Sequence, residues 1–250
     1  MQKFELKTKV EIAVMAEGGK KLARVKGELQ KAVKEGENAE SIEKLAVSLI
    51  KKEGAKPSFA MVPGYRWATC VNVNDGLVHG IPVNSLVFKD GDIVSVDVGL
   101  YYKGFHTDTS FTVLVGKSPE LAHFLEVGRQ SLGKAIRAAK VGHRLGDISR
   151  AIESNLKENG YSPVTALVGH GIGRELHEDP MVPCYSGYPG ENFLLNEGAV
   201  LAIEVMYAAG SGEVKTGSDG WTIRTKDGKM SALFEETVAL TRGGPIVLTK

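Results

Sequence analysis

Only two cysteines, Cys70 and Cys184, occur in 250 residues, which excludes both a disulfide framework and a cysteine-rich zinc module. No apolar run approaches the ~18 residues that span a bilayer. The opening stretch MQKFELKTKVEIAVMAEGG breaks its apolar residues with Lys and Glu, so it does not read as a signal peptide. Charge of one sign is missing too: 31 basic residues face 30 acidic ones, which gives no support to nucleic-acid binding through phosphate neutralisation. No Pro/Ser-rich stretch or charge run divides the chain, and no exposed apolar stripe stands out. The expectation is a soluble, cytoplasmic monomer with no membrane segment and no specific nucleic-acid partner.

Hydrophobic residues make up 42% of the chain, in the globular range, and the one clear excess is glycine, with 30 residues. Glycine in that number implies tight loops or backbone that must come close to something. Apolar residues Val10, Val14, Leu22, Val25, Leu29 and Val33 fall mainly three and four apart, predicting a helix over 10–34, weakened at mid-length by Gly18-Gly19. A second helix is expected from a Ser41 cap to Gly54, a third from Ser118-Pro119 to about Lys140, and a fourth from an Asp147 cap to Gly160. TCVNVN, DIVSVDVGL, TSFTVLV, VLAIEVMY, GWTIRT and SALFEETVALT read as strands. At an offset of 106, Asp147 matches Ser41, Gly160 matches Gly54 and Pro163 matches Pro57. The order helix–helix–strands therefore occurs twice, in halves of about 1–117 and 118–250, within one α+β domain spanning 1–250.

Four acids stand in apolar strands. Asp97 (IVSVDVGL) and Asp108 (HTDTSFTVLV) flank a hairpin; a turn at Tyr102-Lys103 would put them directly opposite, where two carboxylates need a shared proton or a cation. A bulge turning one of them to solvent is the alternative. Glu204 (VLAIEVMY) and Glu235 (ALFEETVAL) each sit among apolar residues, and Glu236 must point to the other face from Glu235. Either glutamate alone reads equally as a salt-bridged or edge charge. In GHGIGRELHEDP, glycines surround His170, and His177 follows seven positions on, beside Glu178. That spacing does not make a helical HExxH zinc site, and one such histidine alone is more often structural. Together, four carboxylates and an imidazole suit two divalent cations ~3.5–4 Å apart, drawn from Mn, Fe, Co or Zn without a choice among them, with a water between them ionised near neutral pH.

These residues in this order resemble the methionine aminopeptidases of type I. NDGLVHGIP, DGDIVSVDVG, GFHTDTS, GHGIGRELHEDP, IEVM and DGWTIRTKDGKMSALFEETV correspond to family segments along essentially the whole chain. The resemblance implies a pita-bread fold, two pseudo-symmetric halves of helices on a curved antiparallel sheet, in its short bacterial form. In that form neither the eukaryotic zinc-finger extension nor the type II insertion is expected. It implies metal ligation by Asp97, Asp108, His170, Glu204 and Glu235, with Asp108 and Glu235 bridging two ions. It further implies that Glu204 passes on the water proton, that His177 stabilises the oxyanion and that His79 meets the scissile nitrogen. For His79 the residues alone favour an ordinary turn histidine. A methionine pocket is implied at Tyr65, Cys70 and Trp221, for which core packing is the bland alternative. The implied reaction is removal of initiator methionine from nascent polypeptide N-termini before a small second residue, with transient ribosome association compatible with it.

Val205 stands where most members have Pro, Val62 and Leu176 where some have aromatics, and Glu236 where many have His. None of these departures removes a ligand. A proline-directed exopeptidase shares the fold and the five ligands, but it usually carries a separate N-terminal domain. A non-catalytic pita-bread binding protein would typically have lost ligands.

Overall fold

The computed structural model describes residues 5–250; residues 1–4, which open the stretch weighed as a signal peptide, lie outside the described residues. Helix α1 (Lys9–Ala32) begins at Thr8, whose hydroxyl accepts the Glu11 N–H at 3.3 Å while the Glu11 carboxylate accepts the Thr8 N–H at 2.8 Å. This reciprocal cap satisfies two N–H groups that a helix start leaves orphaned. Met15, Leu22, Val25 and Leu29 form its buried stripe. Val10, expected on that stripe, is 74% exposed, because five residues before Met15 lies on the far side of the helix. Gly18-Gly19 does not interrupt α1. A Cβ on Gly19 would lie 2.2 Å from the Leu248 carbonyl oxygen, so glycine here lets the helix press against the C-terminal segment.

Helix α2 (Ala39–Lys52) is capped by Asn38, whose side chain accepts the Ser41 N–H at 2.9 Å; Ser41 itself stands three residues inside the cap. Helix α3 (Pro119–Ala138) starts at Ser118 as expected, with proline in the first turn. Helix α4 (Leu145–Glu158) follows Arg144, and Asp147 again sits three residues inside, accepting the Arg144 N–H at 2.7 Å. Both expected caps are displaced by the same amount, so the offset between the two helix pairs survives the correction. Gly54 and Gly160 take matching left-handed φ values of +69° and +79° just past the helix ends.

The strands are β1 (Lys56–Pro57), β2 (Thr69–Val73), β3 (Gly76–Val78), β4 (Ile93–Tyr102), β5 (Phe105–Leu114), β6 (Ser162–Pro163) and β7 (Val168–Gly171). They continue with β8 (Glu178–Pro183), β9 (Val200–Ala208), β10 (Val214–Thr216), β11 (Ile223–Thr225), β12 (Ser231–Thr241) and β13 (Gly244–Val247). The main antiparallel sheet runs β1-β4-β5-β12-β9-β7-β8, with β2 on β4, β6 on β9 and β13 on β12; β10-β11-β3 form a small second sheet. Pro57 pairs into β4 as Pro163 pairs into β9, so the repeat seen in the sequence is repeated in the pairing. The stretch from His170 to Pro180, which does not fit a helical HExxH site, forms parts of β7 and β8 around a short loop.

The helices cover one face of this sheet. Leu22, Val25 and Leu29 of α1 pack with Val94, Val96, Val98 and Leu100 of β4. Phe124 and Leu125 of α3 pack with Ile203, Val205 and Tyr207 of β9. Full burial of each such aliphatic side chain contributes about 1.5–3 kcal/mol relative to exposure. Side chains alternate along a strand, so the residues between these core positions point to the other face. That face carries the acids. Among the described residues no helix is long and apolar enough to cross a membrane.

Candidate metal centre

The β4–β5 hairpin turns at Lys103-Gly104, with φ +47° and +91°, and not at Tyr102-Lys103. A two-residue turn of this hand needs both central residues left-handed, and Gly104 meets that without strain. The register therefore pairs Asp97 with Ser110 and Gly99 with Asp108. The aspartates are diagonal neighbours on one face, a relation of ~7–8 Å between positions rather than the ~5 Å of direct opposition. Neither is turned out by a bulge. Gly99 must be small: a Cβ there would lie 2.8 Å from Ser58 and 2.9 Å from the Phe59 ring, which closes over this strand.

The direct opposition occurs between the glutamates. Glu235 pairs with Glu204 on one side and with Ser110 on the other. A single row across five strands then reads Cys70, Asp97, Ser110, Glu235, Glu204. A second row lies beside it. The Asp108 N–H donates to the Thr237 hydroxyl at 2.9 Å, Thr237 pairs with Ala202, and Ala202 pairs with His170. Two rungs of the sheet thus bring together all five residues expected as ligands. Glu236 points the opposite way, as alternation requires, and accepts from Lys26 at 2.7 Å on the helix face. The β9–β12 register runs unbroken through Val205, which is paired with Phe234.

Four carboxyls gathered on a covered face cannot all stay ionised. Burial, then Asp108 and Glu204, push Asp97 well above the usual carboxylate range. Burial and the neighbouring acids raise Glu204 and Glu235 likewise, and burial brings Asp108 up to about 7. Burial drives His170 down to about 3, so its imidazole is neutral at pH 7. Its Nδ1 donates to the Gly171 carbonyl at 2.8 Å, which leaves Nε2 as the free lone pair, 3.7 Å from a Glu204 oxygen.

Divalent cations fit this set. Asp97 Oδ1 and Glu235 Oε1 are buried without a hydrogen-bond partner, and buried carboxylate oxygens are held only by a proton, a donor or a metal. Ligand atoms of Asp108, His170 and Glu235 lie within 4.8 Å of one another. The donors are four oxygen ligands and one nitrogen, a set shared by several first-row ions.

The cluster forms one wall of a cavity of about 330 Å³ whose lining also includes His79, His177, Tyr65, Cys70 and Trp221, so the residues expected as ligands and as substrate contacts all reach one space. His79 sits at φ +57°, a left-handed conformation costing a non-glycine residue about 1–3 kcal/mol, and such strain concentrates at functional sites. The plain turn-histidine reading does not account for its place on the cavity wall. The His177 ring stands edge-on to His170, centroids 4.5 Å apart at 76°. Partial desolvation holds both His79 and His177 below the ordinary imidazole value.

The remaining wall is apolar. Tyr65 turns its hydroxyl away to donate to the Thr69 carbonyl at 2.8 Å and packs its ring 5.1 Å from Trp221. Burial and Asp97 keep the Cys70 thiol protonated. Val62 and Leu176, the departures noted in the sequence, are on this wall too. Sequence reasoning missed Phe59 and Met206. Phe59 lies in a 3₁₀ turn, and its only trace in the sequence is the glycine at position 99 that makes room for its ring.

The profile of metallopeptidase family M24 matches residues 13–242. Methionine aminopeptidase 1 of Bacillus subtilis is 45% identical over 98% of each chain, and the methionine aminopeptidase of Clostridium perfringens is 44% identical over the same shares. The crystal structure of a methionine aminopeptidase from Thermotoga maritima superposes with a TM-score of 0.95 at 42% identity, covering 100% of both chains. The expected pita-bread fold is therefore present. Prolidase from Pyrococcus furiosus shares that fold with a TM-score of 0.78 at 24% identity, spanning 98% of this chain and 65% of its own. Profile, relatives and fold agree along nearly the full length: the chain belongs to metallopeptidase family M24, among the methionine aminopeptidases.

Proposed function

We propose that the protein hydrolyses the first peptide bond of nascent polypeptides to release methionine, preferring a small second residue, with two divalent ions held by Asp97, Asp108, His170, Glu204 and Glu235. The observation that carries this reading is the opening of the five-residue cluster into a cavity walled by Tyr65, Cys70 and Trp221. An unbranched, polarizable thioether chain suits an apolar wall of that kind. Divalent cations bound there supply Lewis acidity toward a carbonyl oxygen and lower the pKa of water. Asp108 and Glu235 would be the ligands shared between the two ions.

The chain's own groups do the rest. Glu204 accepts a proton from the attacking water at a carboxylate oxygen and returns it to the scissile nitrogen as the bond breaks. His177, neutral at working pH, donates its ring N–H to the oxygen that gains charge in the transition state. His79, fixed by its strained backbone, hydrogen-bonds the scissile nitrogen. Both residues are exposed and line the cavity, so a bulky second side chain would crowd them. The enzyme acts as a cytoplasmic monomer, one catalytic domain in two halves, on nascent polypeptide N-termini.

Metal-reconstituted protein offered Met-Ala-Ser, Met-Lys-Ser and Ala-Pro-Ser is expected to release methionine from the first alone. Cleavage of Ala-Pro-Ser would move the activity to the proline-directed branch. No cleavage with Mn, Co, Fe or Zn would leave a binding protein.

A further inference from the structure

The loop that carries His177 is held by a segment far from it in sequence. Lys7 has a side chain only 1% exposed, and its ammonium contacts the carboxylate of Glu178, itself 7% exposed and next to His177. The pair joins residues 171 positions apart. Lys7 is anchored at its backbone by donating to the Gly198 carbonyl at 2.8 Å, and its ammonium also donates to the Glu5 carbonyl at 2.9 Å. The loop yields to it: a Cβ on Gly173 would lie 2.1 Å from Lys7 Cε, so only glycine admits the lysine there. The other Glu178 oxygen accepts the Glu175 N–H at 3.2 Å, tying the carboxylate into the loop backbone. At the outer end Arg174 pairs with Glu5 at 3.0 Å and with Glu11.

Among the described residues no group hydrogen-bonds the His177 ring, which touches His170 edge-on. Its orientation therefore follows the backbone between β7 and β8, which is anchored where Gly171 pairs with Glu178 and where the Gly173 carbonyl accepts the His106 N–H at 2.7 Å. A buried ion pair is directional in a way that apolar packing is not, and removing one partner leaves the other charge stranded. We propose that Lys7 is a positioning residue for the reaction, acting through Glu178 to hold His177 in place over the cavity. The inference rests on the role proposed for His177.

The test is a double-mutant cycle on metal-loaded, full-length protein, with Met-Ala-Ser as substrate and bound metal measured in each sample. Lys7→Met is expected to lower kcat on the order of tenfold or more with KM and metal content unchanged, since small misplacements of a reacting group are costly. In a His177→Ala background the same substitution should lower kcat no further. A loss as large in that background as in the wild type overturns the proposal. So does a loss seen only in thermal stability, with kcat of the folded protein intact. Wild-type turnover by His177→Ala alone would refute the role of His177, a separate failure that takes the inference with it. If Lys7→Met does not fold, Glu178→Gln, which keeps the shape and one acceptor oxygen, takes its place in the cycle.

Discussion

At the residue scale the centre is a set of groups whose ionisation works against the fold when no cation is present. Asp97, Asp108, Glu204 and Glu235 all have raised folded-state values, Asp108 at about 7. An acid of that kind stabilises the folded chain fully at low pH, and the contribution is lost as pH rises through the folded value. His170, held down to about 3, has the opposite sign: it penalises folding below the unfolded imidazole value of about 6.5 and is silent above it. Above about pH 6.5 the acids alone remain. Chelator-stripped protein should therefore lose thermal stability between about pH 6.5 and 8, and Glu235→Gln should flatten the decline by removing one of the four charges. A melting temperature that rises across that interval would contradict the burial of these acids. Charge makes the ligands legible in the sequence: a carboxylate inside an apolar strand is costly to bury unless a proton, a donor or a cation meets it. Lys7 and Glu178 leave no such trace, because a partner 171 residues away changes nothing in either local pattern.

At the element scale, position is set by turns and by close approach. Period-two and period-3.6 patterning locates the helices and the long strands, and the matching exits at Gly54 and Gly160 show the repeat. The relation of Asp97 to Asp108 differs from the expected one by one step of the hairpin. The turn follows left-handed backbone, which Gly104 supplies and Tyr102 does not. Strands β7 and β8 are not legible either, since a segment with glycines at 169, 171 and 173 carries no alternation, and pairing of β7 with β9 and of β8 with β7 is what makes it extended. Glycine inside a helix reads as weakness in the sequence and is clearance in the fold. Gly19→Ala should destabilise the protein by about 1–3 kcal/mol in denaturant unfolding, in spite of alanine's better helix propensity, because the added carbon meets the Leu248 carbonyl. A stabilising effect would mean that α1 does not press on the C-terminal segment.

On the scale of the whole molecule, the site exists only where the two halves of the chain join. Residues 1–117 supply Asp97 and Asp108 on β4 and β5; residues 118–250 supply His170, Glu204 and Glu235 on β7, β9 and β12. In the main sheet the seam is the short β5–β12 ladder, where Ser110 stands opposite Glu235. Cations bound across it attract acids from both sides and so couple metal occupancy to the association of the halves. The central claim is that this joined cluster holds the metal on which methionine release depends. It is tested most directly by titrating metal into chelator-stripped protein and reading bound metal and methionine release from Met-Ala-Ser in the same samples. Release should be absent without metal and rise with occupancy. Asp97→Asn should need on the order of tenfold or more metal for either signal while still melting cooperatively. Full release from the stripped protein, or wild-type release by Asp97→Asn at limiting metal, would contradict the account.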